Sequence, residues 1–117
     1  PVSDSVRHWH ASPRAAVGFM RHAATIDLAK VGPRRALTMP GLSVTVAEQI
    51  AALEKVAGDK VVARIRREPD PFIEKIVAGW PRNFAAKRAQ ELGFKADDSF
   101  EQIVRIHIED ELGGRVP

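Results

Sequence analysis

Apolar positions along this chain recur mostly at three- and four-residue spacing, in runs broken by Gly and Pro. The clearest unit spans 34–58. Arg35 to Met39 reads as a brief, mostly apolar strand. Pro40-Gly41 ends it, because Pro removes a backbone donor and Gly admits positive φ. Thr45 and Glu48 then make a capping box, in which hydroxyl and carboxylate each satisfy a free amide. Val46, Ile50, Leu53 and Ala57 follow at helical spacing, with Glu48, Gln49, Glu54 and Lys55 on the opposite side. Gly58 supplies the left-handed stop. The remaining segments are arranged around this unit.

Upstream, 1–5 is a loop. Arg7 to Ala11 alternates as a short strand, with Arg7 and Trp9 on one face and His8 and His10 on the other. Ser12-Pro13 opens a helix as N-cap and first residue. That helix keeps Val17, Met20, Ala24, Leu28 and Val31 on one stripe, with Ala16, Phe19, Ala23 and Ile26 beside it. So wide an apolar arc predicts a largely buried helix ending at Gly32-Pro33.

Downstream, Lys60 to Arg67 alternates like a third strand. Asp70-Pro71 repeats the cap-plus-proline device. A short helix over 83–92 closes at Gly93. Ser99 and Gln102 suggest a second capping box, ahead of a helix carrying Phe100, Val104, Ile108 and Leu112. The pattern predicts a helix-rich α+β domain over 1–117 with about three short strands. Such an element set leaves sheet edges and apolar helix faces uncovered, the helix from Pro13 among them. This suggests an absent partner domain, or self-association into a homo-oligomer. The start at Pro1 without Met fits a processed chain or a piece of a longer one.

Composition narrows the class. The chain is 44% hydrophobic and 28% charged, which is ordinary for a globular domain. No apolar run reaches the roughly 20 residues that span a bilayer. There is no secretory signal pattern and no cysteine, which is compatible with a cytoplasmic location. The net charge is +3, and the excess is local: 1–42 holds six Lys/Arg against two acids. A positive end of this kind suits an anionic small molecule. No basic run is interleaved with aromatics, so neither nucleic acid nor membrane is expected as a partner. The chain has no tyrosine and no Gly-rich phosphate loop.

Three stretches carry a family resemblance. Val6 to Ala16 (VRHWHASPRAA) resembles the strand-to-helix step of the substrate-binding part of extended short-chain dehydrogenases/reductases. Thr45 to Ile50 is similar to that family's next capped helix. Phe84 to Ala96, followed by Ser99 to Ile103, resembles its closing segment, with Leu92-Gly93-Phe94 in the Leu-Gly-aromatic position. Arg14 stands where the family commonly has an acid, and Ala85 where it usually has Asp. The resemblance covers nearly the whole chain, but only the C-terminal third or so of such an enzyme. It implies a Rossmann-type NAD-binding domain upstream. The family's glycine loop and Tyr-x-x-x-Lys pair would lie there, with no catalytic or cofactor-binding residue in 1–117.

The implied reaction is hydride transfer from a secondary alcohol of a small sugar acid. A nucleotide-sugar epimerase or dehydratase of the same superfamily is the alternative. A non-catalytic interaction module is a third reading, from another class. The resemblance implies substrate roles for Arg7 and, through a second anion-binding Arg, for Arg64. Arg7 could instead pair with Asp4. Trp9 could wall a pocket or fill the core. Arg14 sits in a helix's first turn, where a cation is disfavoured, so an anion from substrate or side chain should answer it. Arg66 and Arg67 read better as a charged strand edge. His8 and His10 share a face, but two His without a third ligand do not define a metal site.

Overall fold

The computed structural model describes residues 1–116. Its centre is a two-stranded antiparallel ribbon, β1 (Arg7–His10) and β2 (Leu42–Thr45). The register pairs Arg7 with Thr45, His8 with Val44, Trp9 with Ser43 and His10 with Leu42. Because side chains alternate across a strand, Arg7, Trp9, Ser43 and Thr45 share one face. His8, His10, Leu42 and Val44 share the other.

The described residues also form seven helices: α1 (Pro13–Thr25), α2 (Leu28–Val31), α3 (Val46–Ala57), α4 (Asp59–Val62), α5 (Pro71–Val77), α6 (Lys87–Glu91) and α7 (Phe100–Glu111). The capping box forms as expected: Glu48 N–H donates to Thr45 Oγ1 at 3.1 Å, and Thr45 N–H donates to Glu48 at 2.6 Å. Gly58 ends α3 with φ +84°. α3 packs along α7, and the small core gathers Ala52, Ile106, Ala86, Ala89, Phe94, Val31 and Val77.

The helix-rich α+β class is as the pattern predicts, but two of the three expected strands differ. Strand β2 lies after Pro40-Gly41, not over 35–39. The carbonyls of that earlier stretch are met by side chains instead. Arg88 donates to Arg34 O at 2.6 Å and also to Val31 and Ala36 O, while Trp9 Nε1 donates to Met39 O at 3.4 Å. Lys60 to Arg67 forms no strand. It begins as α4 and continues in turns closed by Ala63 N–H to Asp59 O and Ile65 N–H to Val62 O, both 2.9 Å. Alternation over a few residues fits a helical turn as well as a strand, and no neighbouring strand rewards the second choice.

The helix from Pro13 also stops early. Ile26 turns extended, and Asp27 caps α2 by accepting from Ala29 N–H at 2.9 Å. Far from being mostly buried, α1 has no buried residue. The second capping box is half formed. Gln102 N–H reaches Ser99 Oγ, but the Gln102 side chain accepts from Asp98 N–H, one residue upstream of the expected partner.

Candidate functional site

Ser43, on the Arg7–Trp9 face of the ribbon, ties together two arginines. Its carbonyl accepts from Arg7 Nη1 at 2.6 Å, and its hydroxyl donates to Arg82 O at 2.7 Å. Both arginines border a cavity of about 510 Å³, whose wall also includes Ser3, Ser5, Glu74 and Val77. Arg7 is half-buried and pairs with Glu48 at 3.3 Å. Glu48 thus serves cap and guanidinium together. The Thr45 N–H chiefly, with help from the Arg7 charge, holds its carboxyl below the usual range.

The alternative partner considered for Arg7 is taken: Asp4 pairs with Arg67. Trp9 lies on the same strand face as Arg7, yet its ring meets Phe84 edge-on at 5.6 Å, against Gly41. Arg14 is answered by side chains of α7, donating to Asp110 at 2.8 Å and to Glu109 at 2.9 Å. It borders a different cavity, beside Lys95 and Arg105. Arg64 is exposed in the turn after α4. The structure therefore brings Arg7 alone, of the four expected substrate residues, to the 510 Å³ cavity.

On the other face, His8 and His10 stand 6.0 Å apart, His8 against Trp80 and His10 against Phe100, each at 5.4 Å. The Gln49 amide lies 3.2 Å from His10 Nε2 and donates to it, so a neutral ring fits. Burial first, and the His8 charge second, lower the His10 pKa from its usual 6.5. Among the described residues no cluster of three or more His, Cys, Asp or Glu could hold a metal. His22 is structural: its Nε2 lies 2.7 Å from Leu92 O, and its ring is edge-on to Phe94.

Sequence reasoning missed Ser43, Arg82 and Asp97. Asp97 is buried and accepts from Ser12 N–H at 2.7 Å and from Ser12 Oγ at 2.6 Å. It joins the strand-to-helix step of β1–α1 to the segment leading into α7. Local pattern gives no signal for a contact across 85 positions.

No family model matches the chain. Curated relatives do. The chain is 41% identical over 110 residues to a D-erythronate dehydrogenase of Cupriavidus necator, covering 94% of this chain and 34% of that enzyme. It is 34% identical over 109 residues to a D-erythronate dehydrogenase of Haemophilus influenzae, covering 93% of this chain and 35% of that enzyme. The chain thus spans about a third of the length of these relatives, and the matched part is C-terminal. A crystal structure described as the nucleoside-diphosphate-sugar epimerase from Agrobacterium tumefaciens superposes with a TM-score of 0.96 at 64% identity. That match covers the whole of this chain and 34% of the other. The similarity expected from the three sequence stretches is found across the length of the chain.

Proposed function

We propose that this chain is the C-terminal, substrate-binding portion of an NAD-dependent oxidoreductase acting on a secondary alcohol of a small sugar acid such as D-erythronate. The observation that carries the reading is the match to two D-erythronate dehydrogenases over more than nine-tenths of the chain. The cavity bordered by Arg7 and Arg82 supports it, since a guanidinium at its wall suits a carboxylate.

The residues present do not fit the cofactor. No Gly-rich turn joins a strand to a helix N-terminus anywhere in the sequence, so no phosphate cradle forms. NAD, when held by an upstream domain, would accept the hydride. The contribution of this chain is to bind and orient the alcohol, which is itself a large part of rate acceleration. The 117 residues alone should neither bind NAD nor turn over substrate. Calorimetric titration giving micromolar NAD binding to them would contradict this.

A second reading, the substrate portion of a nucleotide-sugar epimerase, is favoured by the description of the Agrobacterium neighbour. Assays of the full-length protein separate the two. NAD reduction with D-erythronate and no turnover of UDP- or GDP-sugars supports the dehydrogenase; the reverse result supports the epimerase.

A further inference from the structure

We propose that Arg82 is the guanidinium that reads the substrate's carboxylate in the 510 Å³ cavity, with Arg7 framing the site as its neutralised neighbour. This assignment rests on the sugar-acid reading above. The two arginines border one cavity but differ in what occupies them. Arg7 gives Nη1 to Ser43 O at 2.6 Å and stands 3.3 Å from the Glu48 carboxylate. Its charge is answered inside the fold. Arg82 has no side-chain hydrogen bond or ion pair among the described residues, so its charge is uncompensated. Its backbone, by contrast, is fixed: it follows Pro81, and its carbonyl accepts from Ser43 Oγ at 2.7 Å. Ser43 therefore holds both arginines in register at the rim.

The remaining polar wall suits a polyol. Ser3 and Ser5 can donate to or accept from hydroxyls, and Glu74 accepts only. Glu74 forms no ion pair among the described residues, with Arg82 or any other cation. One free cation beside hydroxyls and one free carboxylate fits a short polyhydroxylated monocarboxylate. It fits a diphosphate poorly, because Glu74 would repel the second charge.

The test compares D-erythronate with erythritol, which keeps the hydroxyls and lacks the carboxylate, by calorimetry on the full-length enzyme. The wild-type enzyme should prefer the acid. Arg82→Ala should weaken acid binding by about ten- to a hundredfold and leave erythritol binding unchanged. Arg82→Lys should restore part of the preference, because it keeps charge without the fork. A merely structural Arg82 would lower both affinities together, and that result overturns the assignment. Undiminished acid preference in Arg82→Ala also overturns it, while leaving the sugar-acid reading intact. A wild-type enzyme with no acid preference overturns both.

Discussion

Ser12 has no exposed surface, and its polar atoms have few neighbours to choose from. Its hydroxyl caps α1 by accepting from Ala15 N–H at 3.0 Å, and it donates to Asp97, which also takes the Ser12 N–H. Asp97→Ala leaves both groups buried and unpaired, and should cost roughly 1–3 kcal/mol. Asp97→Asn, which retains one acceptor oxygen, should cost less; thermal melts of both variants check the order. His10 makes a pH prediction. Its folded pKa lies below the usual 6.5, so as pH falls the unfolded chain takes the proton first. Stability from this group is complete above about 6.5 and declines as pH falls toward the folded value. Melting temperature should therefore drop as pH falls below about 6.5, and His10→Gln should flatten that slope. A slope unchanged in the variant assigns it to other groups. Arg7→Ala removes the guanidinium that holds Ser43 beside the cavity, and under the proposed function should lower kcat/KM of the full-length protein by about tenfold, because the rim that carries Arg82 is less well fixed. At this scale the capping partners Thr45 and Glu48 were legible because they lie three residues apart. The partner of Arg7 was not: proximity in sequence pointed to Asp4, and only the pairing of Arg7 with Thr45 across the ribbon brings Glu48 beside it.

Between elements, Gly41 decides where β2 begins. A Cβ there would stand 2.6 Å from His10 O and 2.8 Å from the Trp9 indole. Backbone and a packed ring cannot both give way, so the chain passes Trp9 only as glycine. The ladder then starts at Leu42. Gly41→Ala should destabilise by about 1–3 kcal/mol through overpacking, with no contribution from φ. A denaturant melt with an unchanged midpoint would argue against that crowding. This contact also explains the misplaced strand. Residues 35–39 have strand-like composition, but strand identity needs a hydrogen-bonded neighbour, and Arg88 and Trp9 take the carbonyls first. Helices fared better in the sequence because caps and 3.6-residue spacing are local. Two of their failures, at Ile26 and at Gln102, are places where a nearby side chain offered the backbone a competing partner, and a third is the helix expected over 83–92, which begins only at Lys87.

At the scale of the molecule, the fold is too thin for its length. It measures 50 × 35 × 17 Å, with a radius of gyration of 16.6 Å. A self-contained domain of this size would have a radius near 13 Å. The accessible surface is 8212 Å². A monomer of this mass would expose roughly 6,300 Å², so about 1,900 Å² is in excess. That difference is on the order of a full protein–protein interface. The surplus includes large apolar side chains: Met20 is 65% exposed, Leu28 59% and Phe72 69%. Met20 and Val17 lie on α1, which has no buried residue and whose apolar pattern lacks a covering layer among the described residues. Under the proposed function that layer is the upstream domain. Alone, residues 1–117 should therefore self-associate, with a mass that rises with concentration in sedimentation and with strong enhancement of a hydrophobic dye. Paired Val17→Glu and Met20→Glu substitutions should reduce both signals, because a charge on that face cannot be buried cheaply against a second copy. In the full-length protein the same pair should instead lower the melting temperature, since the face would already be covered. A monodisperse, dye-silent chain, or a full-length protein indifferent to the pair, would mean that the α1 face has no partner in the enzyme.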